Sequence, residues 1–250
     1  MLILSEKEIR RHGPGHALAV CWRQWRAERA LARRGVHFRA TEPAEVAAAY
    51  AAMSDEDFAG INARQDWANW RTIPRGLSGH VPDRALRVLD LGCGSGSSTT
   101  VLAFYCPAGS RITGYEMVLP LLEMARRRNY VHRSGKPVQV SFVCQGVTQP
   151  FREADGNLVP ENSVDLVNAS GVVGHHLHAE SVKPLVEELC RVLVPDGIAM
   201  LDVGPSLLAR DLLPLMTAAG LEALKHVRSW FLDPTGEIVF QKHQNPSLSA

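Results

Sequence analysis

Two patterns of apolar residues divide the chain near residue 80. Residues 1–80 are rich in alanine and show the spacing of amphipathic helices, with Ser54 and Asp57 placed as a helix-capping pair. From residue 81 onward, short apolar runs alternate with amphipathic helical segments. We therefore predict a helical region over residues 1–80 and an α/β domain over residues 81–250.

The α/β domain is predicted to contain a doubly wound sheet. Each apolar run is followed by a segment long enough to cross over and return parallel, and the last two runs flank the turn sequence DPTG. This order predicts a mostly parallel, seven-stranded sheet with a C-terminal antiparallel hairpin at one edge. The predicted strands are Leu86–Leu91, Arg111–Tyr115, Val138–Val143, Val164–Ala169, Ile198–Val203, Leu221–Phe231 and Glu237–Gln241. The predicted helices between them are Ser97–Tyr105, Leu119–Asn129, Ser181–Leu193 and Leu207–Ala218.

The most informative stretch is VLDLGCGSGSSTT, residues 88–100. Gly92, Gly94 and Gly96 follow the first strand at alternate positions, where an open parallel sheet binds its ligands. Glycines adopt positive φ and let a ligand approach the main chain closely. The spacing departs from the dinucleotide fingerprint, which requires a glycine at position 97, and no P-loop lysine follows.

Glu116 supplies an acidic side chain at the end of the second predicted strand. It follows the first glycine by 24 residues, which places its carboxylate to accept hydrogen bonds from both hydroxyls of a ribose. Its negative charge disfavours a 2′-phosphate on that sugar. The sequence therefore predicts a site for a nucleoside without that phosphate.

Four segments together resemble the class I, Rossmann-like S-adenosylmethionine-dependent methyltransferases, most closely the small-molecule group that includes the ubiquinone-type enzymes. The segments are LDLGCGSG, ITGYEMVLPLLEMAR, ENSVDLVNASGVVGHHL and LCRVLVPDGIAMLDV, in that order. The resemblance implies S-adenosylmethionine as the cofactor and S-adenosylhomocysteine as the product. It also implies site residues with distinct roles: a methionine-binding group of Asp90, Gly92, Cys93, Gly94 and Gly96, a ribose ligand in Glu116, and an adenine contact in Met117.

One position departs from the family pattern. The family usually has an acid after the third strand that meets the adenine amino group, whereas this chain reads VCQGVTQPF with Val147 in that region. Two alternatives stay open for the contact: the amide oxygen of Gln145, or the main chain of Gly146 and Val147.

The segment NASGVVGHHLH follows the fourth predicted strand, and in relatives it lines the space between cofactor and acceptor. The resemblance places Ser170 among the cofactor-binding residues. His175 and His176 are candidates for a general base or for orienting the acceptor; packing against the next helix is the alternative. The HHxH pattern does not predict a metal site, because adjacent ligands seldom converge on one ion. Motifs of base-amino, cytosine and protein-arginine methylation are missing, which favours a small acceptor.

The helices of residues 1–80 are predicted to cover the site as a lid. The segment INARQDWANWRTIPR would place Trp67, Trp70 and Arg71 near the pocket mouth, with Tyr50 further back. The alternative is that these aromatic residues belong to the core. The net charge is +6 over residues 1–40 (nine basic, three acidic) and −5 over residues 41–70 (one basic, six acidic), which favours helices that pair with each other over an RNA-binding arm.

Composition narrows the function further. The formal charge of +1 argues against a nucleic-acid partner, and no apolar run is long enough to span a membrane. Five scattered cysteines without a CxxC pair predict a cytoplasmic protein. The leading hypothesis is methyl transfer to a small molecule by in-line displacement. The alternatives are a catalytically silent S-adenosylmethionine-binding partner protein and an RNA or protein methyltransferase that uses the basic helices; a homodimer stays open.

Overall fold

The computed structural model describes residues 17–36, 43–229 and 236–243 of the chain. The helices in these residues are α1 (Ala17–Arg33), α2 (Pro43–Ala51), α3 (Asp55–Ile61), α4 (Ala63–Leu77), α5 (Ser97–Tyr105), α6 (Leu119–Arg126), α7 (Val173–His176), α8 (Lys183–Val192) and α9 (Ala209–Ala218). The strands are β1 (Arg87–Leu91), β2 (Arg111–Glu116), β3 (Gln139–Cys144), β4 (Val164–Ala169), β5 (Leu193–Val203), β6 (Leu221–Val227) and β7 (Gly236–Lys242).

The seven strands form one sheet in the order β3-β2-β1-β4-β5-β7-β6. Strands β1 to β5 run parallel, because each connection returns the chain to the same end of the sheet before the next strand begins. The last strand, β7, is antiparallel to both of its neighbours and lies between β5 and β6. The predicted fold class, a mostly parallel seven-stranded sheet with a C-terminal antiparallel hairpin, is confirmed.

Strand β5 begins five residues earlier than predicted, at Leu193 instead of Ile198. The intervening VPDG sequence has the composition of a turn, and Asp196 indeed has a positive φ of 64°. A register shift between Val164 and Leu166 on β4 absorbs this irregularity, so both ends of β5 still pair. The C-terminal pair also differs from its predicted bounds, since β6 ends at Val227, and residues 230–235 of the DPTG connection lie outside the described residues.

Apolar side chains pack on both faces of the sheet. On one face, α8 and α9 cover buried side chains of the sheet. Among these are Val167 and Ala169 on β4 and Ile238 and Phe240 on β7. The four buried apolar residues of α8 recur at three- and four-residue spacing, which gives the helix one apolar side: Leu185, Val186, Leu189 and Val192. On the other face, α4 and α5 pack on the sheet.

The helices before β1 are joined closely to the sheet. Helix α4 buries Ile73 and Leu77 completely in the core below β1, β4 and β5. Helix α3 begins with the predicted capping pair, because Ser54 Oγ accepts from the Asp57 main-chain N–H at 3.1 Å and Asp57 Oδ2 accepts from the Ser54 N–H at 3.2 Å. A smaller apolar cluster joins α3 to α6 through Phe58. Within the described residues, no helix combines the length and the apolar character that a bilayer crossing requires.

Gly96 offers a test of how tightly the β1–α5 connection is packed. Its φ is +85°, and a Cβ there would lie 2.1 Å from the Tyr130 hydroxyl and 3.2 Å from Ala125 Cβ. Gly156 has a similar φ of +89° but open space around it. We expect Gly156→Ala to cost roughly 1–2 kcal/mol of unfolding free energy, from left-handed backbone strain alone. Gly96→Ala should cost about 2 kcal/mol more, because Tyr130 must move.

Urea unfolding followed by circular dichroism measures both losses. Equal losses in the two variants would contradict the packing described around Gly96.

Candidate active site

The carboxyl ends of the parallel strands meet where β1 lies between β2 and β4. This is the switch point of the sheet, because the connections from β1 and from β4 lead away in opposite directions. The loop from Gly92 to Gly96 begins here and leads directly into α5. Glu116 ends β2 and Ser170 follows β4, so the residues predicted from three separate motifs lie at one edge of the sheet.

Asp90 lies beneath the glycine loop and is fully buried. Its Oδ2 accepts hydrogen bonds from Ser98 Oγ at 2.8 Å and Thr99 Oγ1 at 2.5 Å, and its Oδ1 accepts one from Asn168 Nδ2 at 2.8 Å. Burial raises the pKa of Asp90 to about 6, and the three hydrogen bonds oppose that rise. The Asp90 carboxylate is therefore hydrogen-bonded to α5 and β4, and these bonds hold the glycine loop in place from below.

The loop itself is held in a left-handed conformation that few side chains allow. Gly92 and Gly94 have φ values of 62° and 53°. A Cβ at Gly92 would lie 2.9 Å from the Val172 side chain, and one at Gly94 would lie 3.3 Å from the Phe58 ring. The main chain of the loop is thus enclosed by side chains from the β4–α7 connection and from α3.

Glu116 is bonded to the same loop. Its Oε2 accepts the Gly94 N–H at 3.1 Å and its Oε1 accepts the Val118 N–H at 2.8 Å. Burial raises the pKa of the Glu116 carboxyl, and these main-chain hydrogen bonds oppose the rise. Each oxygen keeps further acceptor capacity, since a carboxylate accepts about four hydrogen bonds. Met117, the next residue, is 58% exposed, whereas Cys93 is buried and burial raises the pKa of its thiol.

Gln145 follows β3 and is buried. Its Nε2 donates to the Pro150 carbonyl oxygen at 3.0 Å, which fixes the orientation of the amide. The opposite atom, Oε1, is buried and accepts no hydrogen bond from the described residues. Val147, which stands in place of the family's acid, packs against the apolar core, while Gly146 has open space around its Cα.

Asp202 at the end of β5 positions the segment that carries the histidines. Its carboxylate accepts three main-chain hydrogen bonds, from Val172 at 2.9 Å, Val173 at 2.8 Å and Gly174 at 3.0 Å. Burial raises the pKa of Asp202, and the charge of His175 lowers it. Asp202 thus supplies the acceptors that the first N–H groups of α7 lack.

His175 and His176 are both exposed at the carboxyl edge of the sheet. Desolvation lowers the pKa of His176, and the charge of His175 lowers it further. His176 is therefore neutral at neutral pH, in the form that accepts a proton. Among the described residues, no three side chains converge as a metal site.

Ser170 lies at the floor of the site and is buried. Its Oγ lies 3.0 Å from Asn168 Oδ1 and is also hydrogen-bonded to Glu237 Oε1. Glu237 is buried at the start of β7, and its Oε2 accepts no hydrogen bond from the described residues. Neither Glu237 nor Asn168 was predicted as a site residue, because the contact depends on the position of β7 in the sheet.

Helices α3 and α4 lie directly over the glycine loop. Ser97 Oγ donates to Asp66 Oδ1 at 2.5 Å, and a Cβ at Gly171 would lie 2.8 Å from the Gln65 side chain. Helix α4 therefore contacts the start of α5 through Asp66 and the β4–α7 connection through Gln65, two residues that the sequence did not single out.

The residues predicted for the lid pack against different parts of the protein. Trp67 is buried beneath Arg71, whose guanidinium carbon is 5.3 Å from the centre of the Trp67 ring. The Arg71 Nε donates to the Ser229 carbonyl oxygen. Tyr50 packs edge-on against Phe58, with ring centres 5.7 Å apart.

The predicted position of Trp70 at the pocket mouth is wrong. Its ring packs against Phe104 at 5.5 Å and Tyr105 at 6.0 Å between ring centres. Both partners lie in the last turn of α5, at the opposite end of that helix from the glycine loop. The sequence predicted that Trp67, Trp70 and Arg71 lie on one helix, but helical spacing does not show which of the three faces the glycine loop.

Residues 88–197 match the family described as "Methyltransferase domain". This range runs from β1 into β5 and includes the glycine loop, Glu116 and the histidine segment. Residues 88–197, which are less than half of the chain, therefore carry a methyltransferase domain. The methyltransferase and the cofactor predicted from the motifs are thereby confirmed for this domain.

Solved structures of methyltransferases share the fold at low sequence identity. A Haloferax volcanii methyltransferase solved with the Trm112 activator has a TM-score of 0.56 at 17% identity, over 79% of this chain and 98% of that chain. Magnesium protoporphyrin IX methyltransferase from Synechocystis PCC 6803 with bound S-adenosylhomocysteine has a TM-score of 0.52 at 15% identity, over 76% and 88%. A TehB-like methyltransferase from Corynebacterium glutamicum has a TM-score of 0.50 at 20% identity, over 67% and 85%. No curated protein sequence matches the chain.

The residues at the methyltransferase loop fit the cofactor. Gly92 and Gly94 give the loop its left-handed backbone in the narrow space between Val172 and Phe58. The buried Gln145 Oε1 is an acceptor that lacks a donor from the described residues, and adenine carries an amino donor. Glu116 adds acceptor capacity one strand away.

Asp202 provides a test of how the histidine segment is positioned. Asp202→Asn replaces one acceptor oxygen with an NH₂ group that faces main-chain N–H groups. We expect a loss of about 2–3 kcal/mol of unfolding free energy, because at least one buried N–H loses its charged acceptor. Asp211→Asn on α9 is the control, since its carboxylate is exposed.

Urea unfolding of both variants measures the difference. A loss for Asp202→Asn no greater than that of Asp211→Asn would contradict the role assigned to this carboxylate.

Proposed function

We propose that this methyltransferase acts on a small molecule in the cytoplasm. The observation that carries the proposal is the cover of α3 and α4 over this edge of the sheet, through Phe58 on Gly94 and the hydrogen bond from Ser97, the first residue of α5, to Asp66. An acceptor must enter between these helices and the strand ends, which favours a compact molecule over a polymer. The five cysteines, all within the described residues, are free thiols, which suits a reducing compartment.

The cofactor is held by three groups in this proposal. The loop from Gly92 to Gly96 holds the methionine end, and Glu116 accepts from the ribose hydroxyls with the acceptor capacity left by its two main-chain bonds. Met117 packs against the adenine with its exposed side chain. Gln145 Oε1 accepts from the adenine amino group in place of the family's carboxylate, with the main chain of Gly146 and Val147 as the alternative.

The acceptor side is formed by the segment after β4. When bound, the cofactor supplies an electrophilic methyl group on a sulfonium, so the protein's task is to align the acceptor for in-line displacement. Ser170 lies at the floor, and His176 is the base where the acceptor must lose a proton, because its lowered pKa keeps it neutral. His175, close to Asp202, orients the acceptor.

The helical region of residues 1–80 acts as the lid over the domain of residues 81–250 in this proposal. Phe58 contacts the loop, Asp66 the start of α5 and Gln65 the β4–α7 connection. Trp67 and Arg71 lie one layer further back, and Tyr50 supports Phe58. The lid excludes water from the reacting atoms and is expected to open for exchange of ligands.

Glu116 tests the cofactor site. We expect Glu116→Ala to weaken S-adenosylhomocysteine binding at least tenfold, or about 1.4 kcal/mol, because the ribose loses a charged acceptor. Isothermal titration calorimetry measures this loss, and thermal unfolding shows that the variant is folded. Glu123→Ala is the control, since Glu123 is an exposed carboxylate on the next helix.

A Glu116→Ala protein that binds as tightly as the parent would overturn the ribose assignment. Absence of binding by the parent protein would overturn the cofactor site as a whole.

The histidines test the acceptor site. With small-molecule extracts as acceptors and labelled S-adenosylmethionine, we expect His176→Ala to lower kcat about 100-fold or more without changing cofactor affinity. The parent rate should rise with pH through a midpoint below 6.5, the ordinary value, because the base form is required and the pKa of His176 is lowered. His178→Ala, an exposed histidine of the same segment, is the control.

Unchanged kcat in His176→Ala would remove it as the base. Cofactor binding without turnover in any extract would instead favour a catalytically silent binding protein.

A further inference from the structure

Four polar side chains form a continuous chain of hydrogen bonds beneath the site. It runs from Glu237 on β7 to Ser170 after β4, then to Asn168 on β4 and to Asp90 on β1. All four side chains are buried. The chain thus links the last strand of the sheet to the carboxylate that fixes the glycine loop.

The direction of these hydrogen bonds can be worked out by counting protons. Asp90 Oδ1 requires a donor, which fixes the Asn168 amide with Nδ2 toward Asp90 at 2.8 Å and Oδ1 toward Ser170 at 3.0 Å. Asn168 Oδ1 is an acceptor only, so it requires the hydroxyl proton of Ser170. Ser170 has one proton, yet Glu237 Oε1 also lies within hydrogen-bond distance of its Oγ.

With Asp90 ionised, the count closes only if Glu237 carries a proton. A neutral Glu237 donates to Ser170 Oγ, Ser170 donates to Asn168 Oδ1, and Asn168 donates to Asp90, so that each bond has one donor and one acceptor. An ionised Glu237 would instead take the Ser170 proton and leave Asn168 Oδ1 without its donor. It would also place a second negative charge in a buried site that already contains Asp90.

The surroundings of Glu237 support the neutral form. Its Oε2 is buried and accepts no hydrogen bond from the described residues, which a neutral carboxyl tolerates better than a carboxylate. Burial raises the pKa of Glu237 to about 7; the nearby Ser170 and Thr72 hydroxyls lower it, and the charges of Asp202 and Asp90 raise it.

The charged groups on the elements packed against Glu237 include arginines on α4 and a histidine on β6. Helix α4 also carries Arg71 and Arg75, which donate to the carbonyl oxygens of Ser229 and Arg228. On β6, the residue paired with Glu237 is the buried, apolar Val227, and the adjacent His226 pairs with Ile238.

We infer that Glu237 is a positioning residue held as a neutral acid, which orients Ser170 and Asn168 and through them fixes Asp90 beneath the cofactor loop. Ionisation of Glu237 removes the donor at one end of this row of hydrogen bonds and loosens the glycine loop. Cofactor affinity is therefore expected to fall as the pH rises through the pKa of Glu237. This inference rests on the proposed cofactor site for its binding readout, but not for the protonation state itself.

The first experiment compares Glu237→Gln with the parent. The glutamine Nε2 donates to Ser170 as the neutral acid does, and it does not titrate. We expect the dissociation constant of S-adenosylhomocysteine, measured by calorimetry, to rise at least fivefold for the parent between pH 6 and pH 8.5, and less than twofold for Glu237→Gln. Glu222→Gln on β6 is the matched control and should follow the parent, because Glu222 is exposed.

A Glu237→Gln profile that follows the parent, or folded Glu237→Gln that binds weakly at every pH, would overturn the inference. Thermal unfolding establishes that the variant is folded.

The second experiment needs neither the variant nor the cofactor. The side-chain carboxyl carbon of Glu237 in the parent is followed by NMR from pH 5 to pH 9, after assignment through its own side-chain correlations. Protonation that persists to near pH 7 supports the inference, and a carboxylate already ionised at pH 5 overturns it. If the parent binds no cofactor at any pH, the proposed function fails, and this titration still decides the state of Glu237.

Discussion

The site depends on one buried carboxylate at the end of the first strand. Asp90 accepts hydrogen bonds from Ser98 and Thr99 on α5 and from Asn168 on β4, and in this way it joins β1, α5 and β4 beneath the glycine loop. The loop has left-handed backbone at alternate residues, a conformation that the chain holds only when surrounding contacts determine it. Asp90 supplies those contacts from below and Phe58 and Val172 enclose the loop from above.

Burial of the Asp90 carboxylate lowers the stability of the folded protein at neutral pH. A folded-state pKa of about 6 for Asp90, against an ordinary 3.8, means that the folded protein holds a proton which the unfolded chain has released. Stability is therefore lost as the pH rises from about 4 to 6, by roughly 3 kcal/mol on a scale of about 1.4 kcal/mol per pKa unit. Glu237 and Asp202 have raised pKa values for the same reason, burial. The apolar packing on both faces of the sheet offsets these costs and holds three acids close together.

The sequence predicted the sheet, the loop and Glu116 because their signals are local. A run of apolar residues, a set of glycines and an acid at a strand end can each be identified within a few residues. The start of β5 was missed because VPDG has turn composition and only the register shift with β4 shows that pairing continues. Trp70 was misplaced because helical spacing does not reveal which side of α4 faces α5. The contact of Glu237 with Ser170 joins residues 67 positions apart and follows only from the strand order.

The insertion of β7 between β5 and β6 has a consequence for how the protein matures on the ribosome. Of the seven strands, β7 is synthesised last, yet it pairs with β5 along Ile198–Val203 and gives β6 its only strand partner within the described residues. A nascent chain that ends before Gly236 therefore has an open edge on β5 and an unpaired β6. Five strands can assemble around the glycine loop while translation continues, but the sheet closes only after residue 242 has left the exit tunnel.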